Sequence, residues 1–139
     1  MMVFDTDVLS DLLFGETRYV ERLAQIPSDI ACVPIVAVEE VLRGWLHSIR
    51  QADSGKGRMV LSVAYEAFQE SLIGLKEYRL LPYNPAAHAH YLRLKSQKLR
   101  IGTQDLRIAS IARAHDATLI TRNRRDFEIV PSLKLEVWN

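Results

Sequence analysis

Five short apolar runs, set apart by stretches of helical periodicity, constrain the fold of this chain more than any other feature. The runs are Met2–Phe4, Ile30–Val33, Tyr78–Tyr83, Ala117–Thr121 and Leu133–Trp138. Each is short enough for a strand, and Met2–Phe4 and Ile30–Val33 are apolar throughout, which is how a buried strand reads. Between them, Leu9, Leu12 and Leu13 recur at helical spacing before Gly15. Tyr19, Val20, Leu23 and Ile26 mark a helix from about Thr17 to just before Pro27, and Val38, Val41, Leu42, Trp45 and Ile49 mark a long one from Ile35. Further helices are expected over Arg58–Leu72, from the Asn84-Pro85 cap to about Leu99, and over Gln104–His115. Strands that alternate with helices predict an α/β domain with a mostly parallel sheet.

A length of 139 residues suits one domain spanning 1–139, able to bury a core without disulfides or metal clips. The break at Ala52–Gly57 is too short to separate two domains, and no repeat is present. Apolar residues make up 48% and charged residues 25%, which excludes collagen-like, disordered and disulfide-scaffold classes. The single cysteine, Cys32, sits among apolar neighbours and has no internal partner, which suits a reducing cytoplasm. No stretch reaches the ~18 apolar residues of a membrane span, and the N-terminus lacks the pattern of a signal peptide. A cytoplasmic protein without a membrane partner is therefore expected.

Ligands of open α/β sheets collect beyond the carboxyl ends of the strands. Asp5 stands where the first run ends, with Asp7 two residues on, and Ala117–Thr121 leads straight into Arg122, Asn123 and Asp126. Either Asp5 or Asp7 could simply cap the following helix. At ~100° per residue, Glu40 is expected opposite the Val38/Val41/Trp45 stripe, flanked by Ala37 and Gly44, small residues that suggest close backbone approach. Glu39 reads better as a solvated neighbour. Asp105 is the most informative acid, because Ile108, Ala109 and Ala112 place it on an apolar helix face. A carboxylate there is costly unless its pKa rises or a cation offsets it. Three acids from separate segments describe an oxygen cage for a hard divalent ion, which could activate water against a phosphodiester.

These residues, in this order, resemble a PIN domain. The stretches are Val3-Phe4-Asp5-Thr6-Asp7-Val8-Leu9-Ser10, Glu40-Val41-Leu42-Arg43-Gly44, Ile101-Gly102-Thr103-Gln104-Asp105-Leu106-Arg107-Ile108-Ala109, and Leu119-Ile120-Thr121-Arg122-Asn123 with Asp126-Phe127. The likeness is nearest to the VapC-like toxins of bacterial toxin–antitoxin pairs. It implies a three-layer fold with a short parallel central sheet flanked by helices, and usually a homodimer. It also implies a Mg²⁺- or Mn²⁺-dependent endoribonuclease restrained by a cognate antitoxin, whose C-terminal segment occupies the active-site groove. Asp5, Glu40 and Asp105 match the family's three acids, with Asp5 and Asp105 as direct metal ligands and Glu40 holding waters or a second ion. Thr6 and Thr121 match the hydroxyls that orient them. Two positions depart from the pattern: Asp7 stands where asparagine is usual, and the fourth acidic position falls on Asn123. Asp126, one helical turn on, is the remaining acid, at a position more often outside the metal shell.

Asp5-Thr6-Asp7-Val8 also fits the signature of haloacid-dehalogenase-like phosphatases, with Asp5 as nucleophile and Asp7 as general acid. That reading needs a later Gly-Asp or Asp-Asp, and the chain contains neither. A non-catalytic interaction module for RNA or protein on the same fold would have lost its acids, whereas these are intact. His88 and His90 are two apart on a helix and make a poor metal pair, and Gly55-Lys56-Gly57 lacks the spacing of a phosphate loop.

The formal charge of +1 hides an asymmetry. Residues 88–125 hold nine Lys and Arg against Asp105 and Asp116, a net of +7, while the rest of the chain carries nine basic and fifteen acidic residues, a net of −6. A protein that coats nucleic acid by bulk charge is excluded, but a local phosphate-binding region is not. Arg100, Arg122, Arg124 and Arg125 are the expected RNA contacts.

Overall fold

A computed structural model describes residues Met1–Asn139. The strands are β1 (Met2–Phe4), β2 (Ala31–Pro34), β3 (Arg79–Leu81), β4 (Thr118–Thr121) and β5 (Lys134–Val137). The helices are α1 (Thr6–Leu13), α2 (Thr17–Ala24), α3 (Ile35–Asp53), α4 (Leu61–Leu75), α5 (Pro85–Ser96), α6 (Thr103–Ala114) and α7 (Arg124–Phe127), with one 3₁₀ turn at Ser28–Ile30.

All five strands run parallel in the order β3-β2-β1-β4-β5. The chain builds outward from β1 through β2 to β3, then crosses back to lay β4 along the other side of β1. Beyond the ends of β1 and β4 the strand order reverses, which is where an open parallel sheet leaves a crevice. Val3, Phe4, Cys32, Val33, Leu119 and Ile120 are fully buried in these strands, as two covered faces require. Helices α1, α3 and α4 pack together, and α5 packs on α6. The C-terminus closes over β1: the Trp138 ring lies 5.4 Å from that of Phe4, and the Tyr19 hydroxyl donates to the Trp138 carbonyl at 3.2 Å. No helix is long and apolar enough to cross a membrane.

Several element boundaries differ from the sequence expectation. Helix α1 starts at Thr6, because the Asp5 carboxylate accepts the Val8 N–H and caps the first turn. Helix α4 runs from Leu61 to Leu75, three residues later at both ends than expected, since Val60 is extended and stops the helix from starting sooner. It continues through Gly74, where a Cβ would stand 2.8 Å from Leu13 Cδ2, so the glycine admits α1 at close range. Asn84 caps α5 as expected, accepting from Ala87 N–H, but α5 ends at Ser96, and Lys98 then turns through a positive φ.

Two expectations for α3 are corrected. Its N-terminal half packs against β2, α1 and α6 together, so burial spreads beyond one stripe: Val36 and Ala37 join Val41 and Trp45 in the core. Ala37 is thus a core residue rather than a neighbour of Glu40 on the polar face, and Glu40 is half-buried at the edge of the core. Nothing lies within 4 Å of a Cβ placed at Gly44, so close backbone approach is not its reason. The missing side chain instead leaves open a cleft beside Glu40, lined also by Thr6, Ser10 and Trp45.

Candidate active site

Asp5 is delivered by the end of β1, and its own N–H donates to the Ile120 carbonyl across the strand pair. The side chain is 5% exposed. One carboxylate oxygen accepts the Val8 N–H at 2.9 Å and the other accepts the Thr121 hydroxyl at 2.5 Å. The carboxylate thus caps α1 with one oxygen and ties to the end of β4 with the other. Burial is the largest influence on this group and pushes its pKa up to about 6, with the two hydrogen bonds pulling the other way.

Glu40 reaches the same edge from the second turn of α3. The Thr6 hydroxyl donates to its Oε1 at 2.6 Å. Each expected hydroxyl thus holds its own acid, Thr6 on Glu40 and Thr121 on Asp5.

Asp105 stands in the first turn of α6, half-buried. No ion pair or side-chain hydrogen bond reaches it, and its pKa is also pushed up to about 6. Burial is the largest cause, followed by the charges of Asp126, Glu40, Asp5 and Asp7 in that order. The charges of four acids, from α1, α3, α7 and the end of β1, thus act on this one.

Asn123 and Asp126 resolve into a pair. The Asn123 amide donates to Asp126 Oδ2 at 2.9 Å, while its backbone N–H donates to Thr121 Oγ1 at 3.0 Å. A continuous set of bonds therefore links Asp5, Thr121, Asn123 and Asp126, and Asp126 is the strongest of the charges acting on Asp105. Asp126 thus brings a carboxylate into hydrogen-bond contact with position 123, where the fourth acid was expected.

Arg122, expected to be a free phosphate contact, is already engaged. It pairs with Asp11 and lies 4.0 Å from Asp7. Its partner Asp11 is one that sequence reasoning missed, although Asp7 and Asp11 at i and i+4 share a face of α1. Arg100, Arg124 and Arg125 are exposed and make no ion pair. No three of the carboxylates, histidines and thiols stand close enough to grip an ion between them. The donor set still suits Mg²⁺, which takes one or two carboxylates and keeps its waters. Asp105 itself is paired with no protein cation, whereas Arg122 lies near Asp7 and acts on Asp5.

Glu39, expected to be merely solvated, bridges two helices: it pairs with Arg43 at 2.7 Å and accepts from the Gln104 amide at 2.9 Å. Nothing in the local pattern marks that contact.

The PIN domain family model matches residues 2–133. A 46-residue stretch is 48% identical to ribonuclease VapC2 of Rickettsia felis, covering 33% of this chain and 34% of that relative. Another, of 68 residues, is 34% identical to ribonuclease VapC2 of Haemophilus influenzae, covering 46% of this chain and 52% of the relative. The chain thus spans between a third and about half of the length of these relatives. Among solved structures, VapBC2 of Rickettsia felis bound to a promoter DNA fragment superposes with a TM-score of 0.80 at 21% identity, covering 99% of this chain and 98% of that one. DNA-bound VapBC of Salmonella typhimurium gives a TM-score of 0.81 at 17% identity, with 99% and 98% covered. At these identities the likeness is one of fold. The phosphatase alternative finds no support in the family match.

Proposed function

The chain belongs to the PIN domain family, and from that premise we propose that it is a metal-dependent endoribonuclease, the toxin of a toxin–antitoxin pair. The observation that carries this reading is the set of acids at the carboxyl end of the sheet, with Asp5 held by Thr121, Glu40 held by Thr6, and a half-buried, unpaired Asp105 on which the charges of both act. Mutually repelling carboxylates are stable together only with protons or a cation among them.

Asp5 and Asp105 would hold a divalent ion, Mg²⁺ or Mn²⁺, with Glu40 and Asp126 orienting its waters. Such an ion supplies an activated water and neutralises charge on the phosphodiester as an in-line displacement proceeds. The protein's own part is orientation. Thr121 fixes Asp5, Thr6 fixes Glu40, and Asn123 fixes Asp126, so that the acids face the crevice before substrate arrives. Arg100, Arg124 and Arg125 are free to contact phosphates on either side of the cut bond, and Arg122 steadies α1 against the end of β4.

The partner reading follows the same surface. An apolar groove of about 480 Å³ between α1, α2 and α4 is lined by Leu12, Leu13, Val20, Leu23 and Tyr78. Leu13 also lines the cleft beside Glu40. An antitoxin segment lying in the groove could therefore continue to the acids. A homodimer is expected as well, and light scattering on the purified chain tests it.

Cleavage of RNA by the purified chain, with and without Mg²⁺, tests the central claim. Activity should require the ion and vanish in Asp5→Ala/Asp105→Ala. Unchanged cleavage by that double variant would refute the mechanism.

A further inference from the structure

A second concavity of about 370 Å³ opens beside the acids, between the start of α3, the end of β3 and α5. Its volume lies within the ~300–1,000 Å³ of small-ligand sites. Glu39 and Gln104, whose side chains bond at 2.9 Å, immediately precede Glu40 and Asp105 in the chain. Glu39 lines the pocket, and Arg107, which also lines it, is bonded to Gln104.

The lining is aromatic and cationic at once. The His88 and Tyr91 rings stack at 5.9 Å with 20° between planes, and Tyr83 meets both edge-on. The Tyr83 hydroxyl and His88 Nδ1 are 2.8 Å apart, which fixes both rings. Arg107 places its guanidinium 5.6 Å from the Tyr91 ring and is held by Gln104 Oε1 at 2.8 Å. Stacked rings beside a positioned guanidinium are how proteins receive an unstacked nucleobase. The two oxygens of Glu39, one taken by Arg43 and one by Gln104, each keep a lone pair for a further donor. A core-packing role explains the buried Tyr91 but not the exposed His88 or the open volume.

We propose that this pocket holds one nucleobase of the RNA, next to the cleaved phosphodiester, and so selects where the chain cuts. The proposal rests on the ribonuclease reading above. Guanine fits the polar groups best: its N1–H and N2–H₂ suit the Glu39 carboxylate, and its O6 and N7 suit the Arg107 guanidinium. The base stacks against His88, with Arg107 setting its orientation.

The test maps cleavage of a mixed-sequence RNA by the wild type and by His88→Ala, an exposed change that leaves the core intact. The readout is the ratio of cutting at favoured and disfavoured sites within one reaction. Wild type should cut beside guanine, and His88→Ala should lower that ratio by about tenfold, as loss of one stacking partner does. A second variant, Glu39→Gln, should shift the preference away from guanine. Wild-type cleavage with a ratio unchanged in both variants overturns the subsite and leaves the nuclease reading standing. No metal-dependent cleavage by the wild type overturns the nuclease reading itself. If His88→Ala instead converts a dimer to monomers and slows every site equally, the face is a contact between copies of this chain, and the subsite is wrong.

Discussion

Burial raises the pKa of both Asp5 and Asp105, but the groups around the two acids differ, and the contrast shows how this end of the sheet is assembled. Both are pushed up to about 6, and burial is the first cause of each. Asp5 is then held by hydrogen bonds that oppose the shift, from Thr121 and the Val8 backbone. Asp105 has no such bonds and is raised further by four neighbouring carboxylates. One end of the site is therefore built by its own strand and helix cap, and is satisfied by the protein. The other end is left with uncompensated charge that only a cation or a proton can balance.

The largest test of this contrast removes each acid in turn. Asp5→Asn and Asp105→Asn should each cut RNA cleavage on the order of 10³-fold, measured as single-turnover rate with Mg²⁺. Stability should separate them. Asp105→Asn should raise the metal-free melting temperature at pH 7, since it removes repulsion, whereas Asp5→Ala should raise it less, because relief of the buried charge is offset by loss of a helix cap worth about 1 kcal/mol. Equal stability effects would remove the distinction drawn between the two ends.

Acidity provides a second test. Both folded-state pKa values lie above the unfolded value of 3.8, so the folded chain binds more protons than the unfolded chain between about pH 4 and 6. The contribution of these two groups to stability therefore falls as pH rises through that window and is lowest above it. A divalent ion competes with the same protons. Mg²⁺ should raise the melting temperature at pH 7.5 and have little effect at pH 4.5; equal shifts at both would place the ion elsewhere.

Smaller effects sharpen the hydrogen-bonded side. Thr121→Val and Asn123→Ala should each weaken Mn²⁺ binding or activity by about 10–100-fold, as loss of a residue that orients a ligand does. Isothermal titration with Mn²⁺ measures this apart from turnover. The smallest expected change is at the surface. Arg124→Ala should lower the salt slope of RNA binding by about 0.7, one phosphate contact on a single strand. Arg122→Ala should change it less, because Asp11 and Asp7 already balance that charge.

The parts of this site that were legible in the sequence are those made by local chemistry. Asp5 is recognisable at a strand end before an apolar helix face, and Asp105 by its periodicity against Ile108 and Ala112. Glu40 was found, but its surroundings were not: Ala37 proved to be core because α3 is covered by three elements, and helical periodicity describes only one covered face. Arg122 read as free because its partner lies far away in the chain.

The sequence by itself determined the strand–helix alternation, the caps at Asp5 and Asn84, and which acids stand at strand ends and on helix turns. Those follow from forces acting over one to four residues: backbone capping, side-chain period and local burial. Only the tertiary structure decided that Thr6 would hold Glu40 across 34 residues and Thr121 would hold Asp5 across 116. It alone engaged Arg122 with Asp11 and placed Asp126 where its charge acts on Asp105. It also closed the Glu39–Gln104 bridge across 65 residues beside the Tyr83–His88–Tyr91 pocket. The physical reason is that hydrogen bonding and Coulomb repulsion depend on separation in space, which the packing of a parallel sheet sets independently of separation along the chain.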